Sequence, residues 1–250
     1  MIDKRSKEVK IAHAETEIKN FLNTRKAMLH RISESLSNAF EALSIIYFAS
    51  AYEEILGYQK AIPKNLENGK SYRFMCSTNG NPSNFSYILL EKNGDQFEMR
   101  HNLKVGGAMD SDLMYTADIA VVKVGSIKEK LPQLKKSKEY WCENKDLMTF
   151  AECKNLSAYS MLMAQFLGVV MELMPDHIVK SRNRELRKKF AGNHIFPSLL
   201  IANHTQPGAK KVKDSFDRRS YSVIIADKIF TSPDQLYEEI KNKVKYNGKN

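Results

Sequence analysis

The chain has 250 residues, and its 39 Lys and Arg against 29 Asp and Glu give a formal net charge of +10. This length supports one large domain with a substantial core, and the positive charge favours polyanionic partners such as nucleic acid. The three widely spaced cysteines indicate neither a disulfide framework nor a zinc knuckle. The N-terminus is charged, and no apolar run approaches the roughly 20 residues of a membrane span. We therefore expect a cytoplasmic protein that does not bind membranes.

The N-terminal quarter of the chain is predicted to be helical. Residues 8–59 contain almost no glycine or proline, and apolar residues recur at helical spacing from Leu36 to Tyr47. The pattern indicates one long helix or two helices, ended by Gly57 and Pro63.

Strands are predicted in the middle of the chain. Residues 85–103 place the turn sequence Asn-Gly-Asp between two strand-like runs, which is typical of a β-hairpin. Residues 115–124 and 149–154 are predicted to be core strands. The lysine-rich connection between them, residues 126–146, is predicted to be an insertion or an irregular loop.

The C-terminal part of the chain begins with a nearly all-apolar helix. This helix is predicted to start at Ser157, to end at Pro175 and to be buried against the sheet. It is followed by a basic helix-like stretch, a strand at 198–202, a basic loop, a strand at 221–226 and a final helix from Ser232.

This order of elements predicts an α/β fold with a central mixed β-sheet flanked by helices. An N-terminal helical segment, residues 1–62, is expected to pack on the core of a domain formed by residues 63–250.

Two opposite charges lie inside the predicted strand 149–154. Side chains alternate along a strand, so Glu152 and Lys154 project from one face, whereas Cys153 projects from the other and is expected to pack in the core. If the strand that carries Asp118 pairs with this one, the two carboxylates lie side by side. Two carboxylates at such a short distance repel each other and resist burial unless a cation lies between them. Mg²⁺ prefers oxygen ligands of this kind.

The sequence Glu152-Cys153-Lys154, preceded by Asp118 and followed by an apolar helix, resembles the motif of the PD-(D/E)XK nuclease superfamily, which has the restriction endonuclease-like fold. The similarity in the order of elements covers residues 71–240. The sequence departs from the family pattern in two places. Alanine precedes Asp118 where the family name has proline, and the gap to Glu152 is long.

The resemblance implies a metal-dependent endonuclease that hydrolyses phosphodiester bonds in DNA, with RNA not excluded. By position, Asp118, Glu152 and the backbone oxygen of Cys153 would bind Mg²⁺, with Mn²⁺ as a substitute. Lys154 would stabilise the attacking water and the charge on the phosphate. The resemblance also implies 5′-phosphate and 3′-hydroxyl products and a role in restriction or anti-phage defence. Because cutting both strands usually needs two active sites, we expect a homodimer.

Two further residues are candidates for the catalytic site on the same resemblance. Many members of the superfamily carry an acid on the first helix, and Glu54 lies five turns beyond Leu36 on the apolar stripe. Glu53 and Glu41 are the alternatives. Some branches have a glutamine on the helix after the lysine, a position that Gln165 occupies here.

Three basic clusters could follow the phosphates of a nucleic acid, although a solvated charged surface explains any one of them at least as well. Two clusters form the predicted nucleic-acid-binding set: Lys180, Arg182, Arg184, Arg187, Lys188 and Lys189, and Lys210, Lys211, Lys213, Arg218 and Arg219. The third consists of Lys128, Lys130, Lys135, Lys136 and Lys138.

Two other functions are compatible with the sequence. The first is a catalytically silent, nuclease-fold subunit that binds nucleic acid in a larger complex. The second is a structural adaptor whose N-terminal helices form an interface. The histidines lack the spacing of zinc hydrolases, and there is no Walker-type sequence.

Overall fold

The computed structural model of the protein describes residues 4–30, 35–131, 138–179 and 193–245. Its α-helices are α1 (Lys4–Asn23), α2 (Leu36–Glu54), α3 (Ser160–Leu173), α4 (Asp176–Val179), α5 (Pro207–Arg218) and α6 (Asp234–Lys245). Short 3-10 helices span Pro82–Asn84 and Asn144–Asp146. Its strands are β1 (Met28–Leu29), β2 (Ile62–Lys64), β3 (Ser71–Tyr72), β4 (Tyr87–Lys92), β5 (Asp95–Gly106), β6 (Met114–Lys123), β7 (Ile127–Lys130), β8 (Glu139–Cys142), β9 (Leu147–Lys154), β10 (Ser198–Ile201) and β11 (Ile224–Ala226).

A nine-stranded mixed sheet organises the described part of the chain. Its main path follows the order β11–β10–β9–β6–β5–β4–β2, and β8 pairs with both β5 and β7. Strands β9, β10 and β11 are parallel, whereas β9, β6, β5, β4 and β2 pair antiparallel. β1 and β3 form a separate parallel pair. The parallel and antiparallel halves of the large sheet therefore meet at β9.

Helices cover both faces of this sheet. On one face, α1, α2 and α6 share a buried apolar cluster with Ile119, Ala151 and Leu200. On the other face, α3 and α5 pack with Ala120 and Phe150. Neighbouring residues of each strand thus serve opposite cores, as strand alternation requires. The predicted α/β fold, with a central mixed sheet flanked by helices and an N-terminal helical segment, is confirmed.

The N-terminal helical region consists of two helices rather than one. A turn after α1 leads into β1, and α2 begins at Leu36. α2 is buried along most of its length because it contacts α1 as well as strands β5 and β9. α2 and the sheet share one apolar cluster, and the division of the chain at residue 62 stays a prediction.

The predicted hairpin is formed by β4 and β5, which are joined by Asn93 and Gly94. Both residues have positive φ angles, 54° and 90°. Such angles belong to the two-residue type I′ turn, whose twist matches that of paired strands. The turn sets the register of the hairpin, in which Met99 lies opposite Ile88.

Two connections contain regular structure. The first lies as an insertion between β6 and β9, which is one of its two predicted forms, whereas the alternative of an irregular loop is wrong. The prediction of a loop before β11 is also wrong. The described part of residues 126–146 includes the antiparallel hairpin of β7 and β8, whose strand pattern is obscured by its many charged residues. The basic loop before β11 contains α5. Only a few apolar residues mark the inner face of α5, among which Ala209 and Phe216 are buried.

The apolar helix α3 packs against the sheet as predicted, but its start differs from the prediction. It begins at Ser160 rather than Ser157, and its position before the first turn is held by Tyr159. Only one side of α3 is buried, and the Met161 side chain is 61% exposed. None of the described helices combines the length and apolarity needed to cross a membrane.

Candidate active site

The two acids of the candidate site lie opposite each other on adjacent strands. The predicted core strands are confirmed as β6 and β9, and they pair antiparallel. The last paired residues at one end of this ladder are Ile119 and Ala151. The next residue on β6 is Asp118 and the next on β9 is Glu152, so they occupy opposed positions across the strand pair.

Lys154 joins the two carboxylates. Its Nζ atom lies 3.2 Å from Asp118 Oδ2 and 2.9 Å from Glu152 Oε2. The backbone N–H of Cys153 also donates to Asp118 Oδ2, at 2.7 Å. The acidic side chains are 14% and 12% exposed, whereas that of Lys154 is 34% exposed. The site is therefore a buried acid pair with a basic group at its solvent side.

Burial changes the proton affinity of all three groups. Burial and the charge of Asp118 raise the pKa of Glu152 to about 7, although Lys154 opposes this shift. Burial also raises the pKa of Asp118, against the opposing effects of Lys154 and the Cys153 N–H. Burial alone would lower the pKa of Lys154, but the two carboxylates outweigh it and raise that pKa overall. The lysine is thus held in its charged form by the acids that it bridges.

Cys153 has its side chain in the core, whereas its backbone faces the site. Its thiol is buried in the apolar cluster of α2. In a paired strand, the N–H and C=O of one residue point to the same neighbour. The N–H of Cys153 points to Asp118 on β6, so its carbonyl oxygen faces that side too, beyond the last β6–β9 pair. The next carbonyl, that of Lys154, accepts instead from Ala202 after β10.

The helix acid nearest this site is Glu41, not Glu54. The charge of Glu41 contributes to the raised pKa values of Asp118 and Glu152. Glu54 is exposed at the other end of α2, about 20 Å along the axis from Glu41. There its charge adds to the effect of burial in raising the pKa of Tyr237 to about 12. The structure therefore does not bring Glu54 to the site.

Glu53, the other alternative, has a structural role. Its carboxylate pairs with Arg25, with 2.6 Å between Arg25 Nη2 and Glu53 Oε1, and it accepts the backbone N–H of Ala61. These bonds tie the end of α2 to the turn after α1 and to the segment before β2.

Glu41 is held by two side chains from β5. His101 Nε2 and Asn102 Nδ2 lie 2.9 Å and 3.3 Å from Glu41 Oε2. Neither residue was among the sequence candidates, because a polar pair within a strand has no distinctive spacing.

Gln165 lies on α3 and is exposed to solvent. Within the described residues it is hydrogen-bonded to none of Asp118, Glu152 and Lys154. Its predicted role near the phosphate stays a prediction.

The predicted nucleic-acid-binding residues fall in two regions. The cluster from Lys180 to Lys189 lies outside the described residues. The other cluster lies on α5 and just after it, where Lys210, Lys211, Arg218 and Arg219 are exposed. Lys213 pairs with Glu239 of α6. Of the third cluster, Lys128, Lys130 and Lys138 are described and exposed, whereas Lys135 and Lys136 are not described.

The donor set of the site fits a hard divalent cation. Two buried carboxylates and a backbone carbonyl are oxygen ligands of the kind that Mg²⁺ takes, and the pKa values of both acids are raised chiefly by their burial. No group of three or more His, Cys, Asp or Glu with a metal-binding arrangement occurs in the described ranges. The protein side chains would therefore supply only part of the ligand shell, with waters or phosphate oxygens completing it.

Comparisons with known proteins found few matches. No protein-family model and no curated protein matches the chain. Two solved structures are similar to it. NucC from P. aeruginosa in its cAAA-bound form shares 8% identity at a TM-score of 0.37, over 97% of this chain and 91% of that chain. NucC from E. coli in its cAAA-bound form shares 9% identity at a TM-score of 0.35, over 99% and 93% of the two chains. At these TM-scores and identities the likeness carries no argument about activity or ligand.

Proposed function

We propose that the protein is a metal-dependent endonuclease that hydrolyses phosphodiester bonds in DNA. The observation that carries this proposal is the buried pair of Asp118 and Glu152, opposed on central strands and bridged by Lys154. Burying two acids and a base destabilises a fold unless their geometry is well satisfied. Groups with pKa values perturbed in this way cluster at functional sites. The arrangement matches the acid, acid and lysine of the superfamily that the sequence resembles.

The residues of the site would divide the chemistry among them. Asp118, Glu152 and the carbonyl of Cys153 would hold Mg²⁺, or Mn²⁺ in its place. When bound, the ion supplies Lewis-acid stabilisation of phosphate oxygens. Lys154 keeps a positive charge beside the same carboxylates, and its partial exposure lets a phosphate approach it. There it stabilises the negative charge that develops as water attacks phosphorus.

Glu41 would be the third acid of the site. Its carboxylate is 15% exposed and is anchored by His101, and its charge reaches both other acids. In this role it would accept a hydrogen bond from the attacking water or from a water that completes the ligand shell.

DNA is the proposed substrate, and RNA is the alternative that the cleavage test distinguishes. The net charge of +10 and the exposed lysines of α5 suit a phosphodiester backbone. We further propose a homodimer, since cleavage of both strands usually needs two sites, and a role in restriction or anti-phage defence.

The direct test is cleavage of supercoiled plasmid, single-stranded DNA and RNA, each with Mg²⁺, Mn²⁺ or EDTA. Asp118→Asn and Lys154→Met are compared with the wild type, because both keep the side-chain volume while removing the charge. Lys123→Met is the matched control. Lys123 lies on the same strand as Asp118, but its ammonium pairs with Asp146 outside the site.

We expect metal-dependent cutting that is lost in Asp118→Asn and Lys154→Met and kept in Lys123→Met. The preferred nucleic acid then identifies the substrate. Binding without cleavage, unchanged by metal or by either site substitution, would instead identify a catalytically silent nucleic-acid-binding subunit.

A further inference from the structure

The backbone of strand β5 leaves the extended conformation at Asn102. This residue has a φ angle of 51° in the middle of a 12-residue strand, a left-handed conformation that is uncommon for residues other than glycine. Consecutive side chains of a strand normally point to opposite faces. Here His101 and Asn102 both reach the same oxygen of Glu41. The unusual backbone is therefore what brings two neighbouring side chains to one carboxylate.

The effect on the strand is visible in its packing. Met99 lies in the apolar cluster of α1 and α2, whereas Leu103, four residues later, lies in the cluster of α3. Regular alternation would place both on one face. The neighbouring strand β6 changes face at the same level, since Ile119 and Ala117 also belong to different clusters.

Asn102 lies in line with the two acids. His101 pairs with Ile119 and Leu103 with Ala117, so Asn102 is the position opposite Asp118. Asp118 is in turn opposite Glu152 on the next strand. A single row across β5, β6 and β9 thus carries Asn102, Asp118 and Glu152, which links the local backbone distortion directly to the candidate site.

The hydrogen bonding of the pair is directed at Glu41. Asn102 Nδ2 also donates to the carbonyl of Met75 at 2.8 Å, which fixes the plane of its amide. His101 is 3% exposed, and its Nδ1 has no hydrogen-bond partner among the described residues. A buried imidazole kept with one nitrogen unsatisfied calls for an explanation. The bond from its other nitrogen to Glu41 supplies one. Strained or unsatisfied groups of this kind concentrate at functional sites.

We infer that His101 and Asn102 are positioning residues that hold the Glu41 carboxylate at the row formed by Asn102, Asp118 and Glu152. This inference rests on the proposed function. Neither residue need touch the substrate. Their effect passes through Glu41, because their two hydrogen bonds fix one oxygen of its carboxylate.

The test distinguishes the contribution of the Asn102 side-chain amide from that of its backbone conformation. Asn102→Gly removes the amide but keeps a residue that adopts positive φ freely. Asn68→Gly is the matched control, because Asn68 has the same φ of 51° in an exposed turn. For His101, the Gln variant retains a side-chain N–H donor, whereas the Leu variant does not. Each variant is also combined with Glu41→Gln.

Two experiments are made on each variant. Calorimetry measures the affinity of the protein for Mn²⁺ in the absence of nucleic acid, and a cleavage assay measures kcat and KM. We expect Glu41→Gln, Asn102→Gly and His101→Leu each to lower Mn²⁺ affinity or kcat by about 10- to 100-fold, as groups behind a metal site do. His101→Gln should recover part of the loss, and Asn68→Gly should match the wild type. In the Glu41→Gln background, Asn102→Gly and His101→Leu should add little, because the group that they position is already changed.

Additive losses in the double variants, or loss of folding stability without change in Mn²⁺ affinity or kcat, would overturn the inference. The outcome is distinct from failure of the proposed function. If Asp118→Asn abolishes Mn²⁺ binding and cleavage but Glu41→Gln and Asn102→Gly leave both unchanged, only the positioning role is wrong. If Asp118→Asn changes neither quantity, the proposed function itself is wrong.

Discussion

The ionisation of the Glu152 carboxyl group is strongly affected by the fold. Burial and the Asp118 charge raise its pKa to about 7 from an ordinary value of 4.5. Between these two values the folded protein binds more protons at this position than the unfolded chain does. The free energy of unfolding therefore falls as the pH rises through this window. Without metal, the acid pair should destabilise the protein at neutral pH.

The prediction is that wild-type protein in EDTA loses stability from pH 5 to pH 8, by at most about 3 kcal/mol from this group. Glu152→Gln should show a flatter dependence and be more stable than the wild type at pH 8. Urea unfolding at several pH values measures this. Glu129→Gln is the control, because Glu129 is an exposed acid paired with Lys138. Parallel curves for wild type and Glu152→Gln would contradict the raised pKa.

The residues of the site were predictable from sequence to different extents. Asp118, Glu152 and Lys154 stood out because charges inside core strands are rare, and strand alternation placed Glu152 and Lys154 on one face. The helix acid was not predictable. α2 is apolar on almost all sides, so its sequence shows no single buried stripe that distinguishes Glu41 from Glu54. That choice depends on where the helix lies on the sheet.

At the scale of elements, α2 is the support on which the site is built. It carries Glu41 and contacts β5, β6 and β9. Phe40, one residue before Glu41, is fully buried, and its ring lies 5.1 Å from that of Phe230. The packing of this helix therefore determines both the stability of the fold and the position of the acid.

We predict that Phe40→Ala lowers the free energy of unfolding by about 3–5 kcal/mol, since a fully buried phenylalanine leaves a cavity when truncated. Met161→Ala, at an exposed position of α3, should change it by less than about 0.5 kcal/mol. Urea denaturation followed by circular dichroism measures both. Equal effects of the two substitutions would contradict the burial of α2.

Elements with a strong local signal were predicted well, and those without one were missed. The β4–β5 hairpin was predicted because Asn93 and Gly94 specify its turn. β7 and β8 were missed because their alternation is formed largely by charged and aromatic residues, and the pairing of β8 with β5 at Val105 is a tertiary contact. α5 was missed because its apolar residues are few and widely spaced. In these cases the partner surface, which the sequence does not show, decides the structure.

At the scale of the whole molecule, the net charge of +10 governs encounters with other macromolecules. Within the described residues, α5 presents Lys210 and Lys211 to solvent. α1 also exposes lysines, including Lys7 and Lys19, on the opposite face of the sheet from α5. Substitutions on the two helices can therefore distinguish an effect of the local charge of α5 from an effect of the net charge of the protein.

We predict that DNA affinity falls as salt rises, and that Lys210→Glu with Lys211→Glu weakens it. The same pair should reduce the slope of log K against log salt by about 1 for each phosphate that the variant no longer binds. Lys7→Glu with Lys19→Glu makes the same change in net charge. Fluorescence anisotropy with labelled duplex at several salt concentrations provides the measurement. Equal effects of the two pairs would assign the affinity to overall charge rather than to α5.

The bond from the Cys153 amide to Asp118 has a spectroscopic consequence. This N–H is donated to a carboxylate at 2.7 Å rather than to a strand carbonyl, and hydrogen bonds to ionised acceptors are shorter and stronger than neutral ones. The amide proton resonance of Cys153 should therefore lie downfield and move when Asp118 gains a proton or a cation. The backbone itself thus supplies a nuclear magnetic resonance reporter at the centre of the site, with no label beyond ¹⁵N.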